Sequence, residues 1–273
     1  MLILIAVLLL SAASTALLAW LLGPCVLWWF VLRIPLLFLA AFVFWLLVYT
    51  LFLFLLGALI NQKKPVKKPH HGMRRLMVET MDLILLVGRI RVHGEGLERI
   101  DRTKPFLLVA NHRSLIDPFL PLTLLKGTEI VYICKPEIAK MPVAGGIAHI
   151  CGFPLIDRQN NRQALKTIFR AIEILTDEST AVAIFPEGTR NKTDDPLLPL
   201  HAGSFSIAKR AKVPIVIAVN RGTDKALKRF FLHRSHVSFS VVDVLSPEQT
   251  EPLSTQEIAG LAEEKLKAKL AEA

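Results

Sequence analysis

Two short strings in this 273-residue sequence bring together side chains that can move protons and hold anions. The first reads NHRSLIDP, Asn111 to Pro118, and sets His112 five positions before Asp117. A histidine of ordinary basicity can take a proton from a hydroxyl near neutral pH. It needs a partner, usually a carboxylate, to fix its tautomer and stabilise the imidazolium that forms. The pair is a weak pattern by itself, because eight histidines make chance spacings common and an aspartate before a proline also reads as a helix cap. On the capping reading, Asp117 or Ser114 opens a helix that has Pro118 in its first turn. The second string reads FPEGTR, Phe185 to Arg190. Here Glu187 supplies a carboxylate, and Gly188 supplies backbone that can approach a ligand closely and adopt positive φ. Arg190 supplies a planar fork of donors suited to phosphate.

Both strings follow short apolar runs, and the order of such runs predicts the elements that position them. RIRVHG (89–94), FLLVA (106–110), EIVYIC (129–134), FPLID (153–157), TAVAIF (180–185), PIVIAV (214–219) and HVSFSVVDVL (236–245) read as strands. Leu165, Ile168, Phe169, Ile172 and Leu175 recur at helical spacing across 160–177, and a second helix is expected near 204–212. Ser254 and Glu257 have capping-box spacing and open a C-terminal helix. Strands alternating with helices predict an α/β fold with a mixed, largely parallel sheet flanked by helices. In such folds the loops at the carboxyl ends of strands carry function, which is where both strings fall.

The first 60 residues have a different character. Leu2 to Leu22 and Ile34 to Ile60 are uncharged runs of 21 and 27 residues, and each exceeds the roughly 20 residues a helix needs to cross a bilayer. With Gly23 and Pro24 at the join and Arg33 and Pro35 before the second run, a membrane-embedded helical hairpin is expected, its short loop near Arg33. Lys63, Lys64, Lys67, Lys68, Arg74 and Arg75 then fall within thirteen residues, with no acid among them. Such a basic stretch favours the cytoplasmic side and anionic lipid. Residues 73–87 read as a helix apolar enough to lie along the membrane surface or to pack on the domain. The expected organisation is an anchor at 1–60, a basic linker and interfacial helix at 61–88, and a cytoplasmic domain at 89–273. That places the chain in the cell membrane with the domain on the cytoplasmic side.

NHRSLIDP and FPEGTR in this order, about seventy residues apart, resemble two blocks of the glycerolipid acyltransferase family. Lys135 to Arg158, KPEIAKMPVAGGIAHICGFPLIDR, resembles a further block, and VPIVIAV (213–219) resembles the last. The resemblance covers about residues 105 to 220. It implies acyl transfer from acyl-ACP or acyl-CoA to the sn-2 hydroxyl of a lysophosphatidate acceptor, giving phosphatidic acid, without a cofactor. Under it His112 is the general base and Asp117 its orienting partner. Arg190, assisted by Arg158, holds the acceptor phosphate, Glu187 positions a glycerol hydroxyl or Arg190, and Gly188 amides or Lys135 steady the oxyanion. Asn220 and Arg221 stand where many members have a small polar group, so no catalytic role is assigned there.

Other acceptors stay open: glycerol 3-phosphate, another lysophospholipid, or a lipid alcohol. So does a non-catalytic, membrane-tethered binder of anionic lipid. The net charge of +10 calls for an anionic partner, and its position favours membrane and phosphate over nucleic acid. No metal is expected, because His70, His71, His233 and His236 lack further ligands at useful spacing. Gly94 and Gly96 make only half of a dinucleotide fingerprint. A serine esterase is disfavoured, since no GxSxG elbow occurs. Cys25, Cys134 and Cys151 suggest no disulfide framework.

Overall fold

Four strands with almost no exposed side chain build the centre of the sheet: β2 (Leu107–Ala110), β3 (Ile130–Tyr132), β4 (Ala181–Ile184) and β5 (Ile215–Arg221). Their continuous apolar sequences are what burial on both faces of a parallel sheet requires. With β1 (Ile90–Glu95) and β6 (Ser235–Leu245) they form one six-stranded sheet in the order β1-β6-β5-β2-β4-β3. All neighbours are parallel except β5 and β6, so the sheet is mixed and largely parallel. The computed structural model describes residues 2–22, 27–64, 66 and 69–272. The Gly23–Pro24 join and Lys67 and Lys68 of the basic stretch lie outside them.

The helices are α1 (Leu2–Leu21), α2 (Leu27–Leu59), α3 (His71–Val87), α4 (Phe119–Leu124), α5 (Ala144–Ile150), α6 (Asn161–Thr176), α7 (Ser206–Ala211), α8 (Thr223–Lys228), α9 (Pro247–Thr250) and α10 (Thr255–Ala271). One layer of core packs Met77 and Leu85 of α3, Leu120 of α4 and Ile147 of α5 on one sheet face. The other packs Ile174 and Leu175 of α6, Ile207 of α7 and Ile258 and Leu266 of α10 on the opposite face. Two-sided cover follows from parallel crossovers, which must leave the sheet plane to return. The capping box opening α10 forms as expected, with Ser254 and Glu257 satisfying each other's backbone N–H.

Three expectations are corrected. FPLID is not a strand: only an isolated bridge joins Leu155 to Cys134, because the segment runs past the end of the three-residue edge strand β3. The hairpin's second helix begins at Leu27, so Arg33 and Pro35 lie inside α2 and not in a loop before it. Neither Asp117 nor Ser114 caps the helix that follows. The residue flanking α4 is Pro118, which makes no side-chain cap, while the carboxylate of Asp117 turns back toward residues 112–114.

α1 and α2 are long and apolar enough to cross a membrane, and little of either is buried within the protein. They pack on each other, and Trp45 donates its indole N–H to Ser14 Oγ at 3.1 Å. Ser11 and Thr15 return their hydroxyls to carbonyls four residues earlier, which satisfies these two donors within the apolar helix. The hairpin reaches the rest of the molecule at two places. Tyr49 shares a 2.6 Å hydrogen bond with Thr80 of α3, and the Leu2 amide donates to Glu79. Gly57 of α2 meets Gly146 of α5 so closely that a Cβ on Gly146 would stand 2.5 Å from the Gly57 carbonyl. Small residues on both helices are what lets the backbones approach this far.

α3 is fastened in turn by Arg74. Its guanidinium is buried, donates twice to the Cys151 carbonyl at the end of α5, and pairs with Glu129 just before β3. His71 reaches the same carboxylate. A buried cation with three satisfied donors joins three elements at one point, and its removal leaves the buried Cys151 carbonyl without its two donors. The Arg74→Ala protein should therefore lose about 2–3 kcal/mol of stability, read as a lower denaturation midpoint of the detergent-solubilised protein; an unchanged midpoint would contradict the account.

Candidate active site

The register of the central strands sets the two loaded loops side by side. Val109 of β2 pairs with Ile184 of β4 in parallel, so NHRSLIDP and FPEGTR leave adjacent strands at the same level and in the same direction. The loops then bind each other directly. Glu187 is buried, and both of its carboxylate oxygens accept backbone N–H groups, one from His112 and the other from Leu198 at 2.9 Å. The His112 carbonyl accepts the Asn191 amide at 2.7 Å. Arg113 donates its guanidinium to the carbonyls of Asp195 and Thr193, which fixes the segment after FPEGTR against the first loop. Burial pushes the Glu187 carboxyl above its usual range, and the two amide bonds counter this only in part.

Within the clasp, Asp117 is fully buried. One oxygen, Oδ2, accepts the amides of Arg113 and Ser114 at 2.7 Å each and faces His112 Nδ1 at 2.8 Å. A carboxylate has no proton to give, so Nδ1 carries the hydrogen and Nε2 of the neutral ring is left with its lone pair. The ring plane is held from the side by Phe185, stacked at 4.1 Å between centroids and 11° between planes. Tyr132 stacks beyond Phe185 at 5.7 Å and donates its hydroxyl to the Pro118 carbonyl. Burial, then the nearby Asp117, pushes the Tyr132 phenol well up, so it remains a neutral donor.

The remaining sequence candidates are distributed unevenly. Gly188 has φ of 71°, as its expected freedom required. Arg158 occupies the space where a side chain there would stand, with Nη1 1.3 Å from an ideal Cβ position, and His201 flanks it. Burial lowers the Arg158 pKa, and no carboxylate lies within ion-pair reach of it among the described residues. His201 is held below its ordinary value, first by burial and then by the Arg158 charge. Arg190 is exposed and also lacks an acidic partner among the described residues. Lys135 is exposed at the start of the 3-10 turn Pro136–Lys140, outside the hydrogen bonds that join the two loops. The Gly188 amide already donates to the Phe185 carbonyl, so it is not free to steady an oxyanion.

Sequence reasoning missed several supports. Asn111 and Asn220 are buried and exchange three hydrogen bonds: Asn111 Nδ2 to the Asn220 carbonyl, the Asn220 amide to Asn111 Oδ1, and Asn220 Nδ2 to the Asn111 carbonyl. The signal was a lone asparagine ending each of two continuously apolar strands. Because β2 and β5 are parallel neighbours, the two amides meet and lock the base of the first loop. His201, 14 residues after Glu187, had no local signal at all.

This arrangement, two loops at the carboxyl end of a parallel sheet that clasp a carboxylate-bound histidine, fits an acid–base group-transfer enzyme. Residues 89–219 match the family model described as Acyltransferase. Among similar proteins is the 1-acyl-sn-glycerol-3-phosphate acyltransferase alpha of Ovis aries, 31% identical over 196 residues, 70% of this chain and 66% of that protein. The Saccharomyces cerevisiae 1-acyl-sn-glycerol-3-phosphate acyltransferase is 30% identical over 163 residues, 59% of this chain and 52% of that protein. The chain thus spans just under two thirds of the sheep relative and about half of the yeast one. The crystal structure of the 1-acyl-sn-glycerophosphate (LPA) acyltransferase PlsC from Thermotoga maritima shares the fold, with a TM-score of 0.59 over 82% of this chain and 88% of that one at 22% identity.

The clasp generates a sharp expectation for Glu187→Gln. An amide has one acceptor oxygen where the site uses two, so an NH2 group would confront either the His112 or the Leu198 amide. The near-isosteric change should destabilise the protein by about 1–3 kcal/mol, seen in thermal unfolding, where a silent substitution would refute the two-amide clasp.

Proposed function

We propose that this chain is a 1-acylglycerol-3-phosphate O-acyltransferase, moving a fatty acyl group from acyl-ACP or acyl-CoA to the sn-2 hydroxyl of 1-acyl-sn-glycerol 3-phosphate. The observation that carries the reading is the Asp117-held imidazole, 2.8 Å from a fully buried carboxylate and stacked on Phe185. The sheep and yeast relatives support the acceptor by their names.

In this mechanism Nε2 of His112 accepts the proton of the acceptor hydroxyl as its oxygen bonds to the thioester carbonyl carbon. Asp117 stabilises the imidazolium. Collapse of the tetrahedral intermediate breaks the C–S bond, and His112 returns the proton to the departing thiolate. Neither thiol among the described residues is suited to intercept the acyl group: burial pushes Cys134 and Cys151 up to about 12, so both stay protonated near neutral pH. With the Gly188 amide engaged, the amides of Thr189 and Arg190 take over as oxyanion donors, since neither has an acceptor among the described residues. Lys135 is left as the outer alternative.

Arg158 is assigned to the acceptor phosphate. A half-buried guanidinium without a carboxylate gains most from a dianion brought to it. Arg190 adds a second, exposed cation, and Glu187 acts by positioning, through the loops it joins. The long apolar helices serve as anchor over residues 1–60, with a basic linker and interfacial helix over 61–88 and the catalytic domain over 89–273 on the cytoplasmic side. A lysophospholipid stays in the bilayer, so an anchored domain searches for it along the surface alone.

Membranes bearing the chain, supplied with labelled acyl thioester and a panel of glycerol 3-phosphate, lysophosphatidate and other lysophospholipids, test the reading. Asp117→Asn is informative because its side-chain oxygen can take the place of Oδ2, keeping the loop amides satisfied while the charge is lost. His112→Ala and Asp117→Asn should each lower kcat by about a hundredfold or more. Arg158→Ala should raise KM for lysophosphatidate by about tenfold or more and leave the thioester KM unchanged. Full activity of His112→Ala would sink the mechanism, and lipid binding without turnover on any donor would favour a non-catalytic binder.

A further inference from the structure

The turn between α8 and β6, residues 229–234, reads RFFLHR and combines exposed apolar side chains with positive charge. Phe231 is 57% exposed and Leu232 73%, the two highest values for large apolar side chains among the described residues beyond residue 70. Leu227 of α8 is exposed beside them. Lys225, Lys228, Arg229 and Arg234 surround this tip, and Asp224 is the only acid between residues 222 and 236. The turn is not loosely attached. Phe230 points inward and fills the space over Gly88 at the end of α3, where a Cβ would meet its ring at 2.1 Å. Phe231, at φ of 66°, reverses the chain so that it and Leu232 face outward.

Topology decides what this tip faces. β5 runs parallel to β2, so α8 and its turn leave the sheet at the same end as NHRSLIDP and FPEGTR. β6 returns antiparallel, and β1 runs parallel to β6, which puts Arg89, Arg91 and exposed Leu86 of α3 at that end too. α3 is also the helix on which the apolar hairpin rests, through Tyr49–Thr80 and Leu2–Glu79. The tip therefore packs at the C-terminal end of the helix that carries the hairpin contacts and lies at the same end of the sheet as the two loops.

We propose that residues 225–234 form a docking loop that inserts Phe231 and Leu232 into the interface of an anionic bilayer and ties its basic residues to lipid headgroups. An apolar tip ringed by Lys and Arg has the chemistry of an interfacial segment. The loop complements the hairpin as a second attachment point on the domain, resting on the same helix α3; docking at the site end holds the His112 loops toward the surface. The inference rests on the acyltransferase reading for its purpose but not for its first test.

That test uses the full-length chain in vesicles of phosphatidylcholine with or without phosphatidylglycerol. An environment-sensitive fluorophore is placed by Leu232→Cys and, as a control before β2 at the opposite sheet end, by Lys104→Cys, both with Cys25→Ser. The label at 232 should shift to the blue and be quenched by lipid-phase spin labels when phosphatidylglycerol is present, while the label at 104 reports water. A label at 232 that stays in water in anionic vesicles would overturn the proposal, whatever the activity.

The second arm compares acceptors. Phe231→Ser with Leu232→Ser should lower transfer to bilayer-borne long-chain lysophosphatidate by about tenfold, with transfer to a water-soluble short-chain analogue unchanged. Equal loss on both acceptors would show a damaged domain and refute docking. Loss confined to the acyl carrier protein donor would assign the loop to an acidic protein and equally refute it. If the parent chain transfers no acyl group to any acceptor, the functional reading fails, and the fluorophores still decide whether the loop docks.

Discussion

Burying the Asp117 carboxylate is the constraint around which the site is built. An ionised carboxylate removed from water is costly unless donors surround it, and here three N–H groups converge on one oxygen, from His112 Nδ1, Arg113 and Ser114. Two of those donors are backbone, so the charge dictates the path of residues 112–117 as much as the loop positions the charge. The third fixes the tautomer of His112. The loop conformation and the imidazole's proton are thus set by one interaction. It turns Oδ2 of Asp117 upstream and away from the start of α4, which has no side-chain cap, and Oδ1 has no hydrogen-bond partner among the described residues.

The second carboxylate, Glu187, acts on the same loop from outside. By accepting the His112 and Leu198 amides it makes the geometry of the first loop depend on a segment 75 residues later. Phe185 closes the arrangement by stacking on the ring that Asp117 orients. Polar clasp and aromatic stack work along different directions: one sets the ring's hydrogen-bonding edge, the other its plane. Asn111 and Asn220 hold the base of the loop to β5, so three neighbouring strands converge on a single side chain.

Attachment of the hairpin follows another physical rule. Close backbone approach at Gly57 and Gly146 requires that neither carry a side chain, and Arg74 joins α3, α5 and the start of β3 with its donors satisfied. These contacts mean that the apolar helices bear on the domain at α3 and α5, the helices covering the face of the sheet on which Leu120 and Tyr132 lie. Orientation of the site and position of the hairpin are therefore mechanically related.

Periodicity alone was enough for the largely parallel α/β order, the two long apolar helices and the C-terminal capping box, because burial on two faces, uninterrupted apolar composition and local capping each leave a mark within a few neighbouring residues. It failed at FPLID, where a strand-like composition meets no free partner strand long enough to pair, and at Asp117, where a local cap lost to three donors that only the folded loop presents. The residue types at the site were legible through two strings whose order and spacing resemble a family's blocks, but not the partners of Glu187, the Arg158–Gly188–His201 contact or the exchange between Asn111 and Asn220. Those depend on which strands become neighbours and in what register. Residue identity by itself determined which chemistry this protein can hold; tertiary structure decided which side chains meet to perform it, because hydrogen bonds and close packing act over a few ångströms in space while their partners lie up to 109 residues apart in sequence.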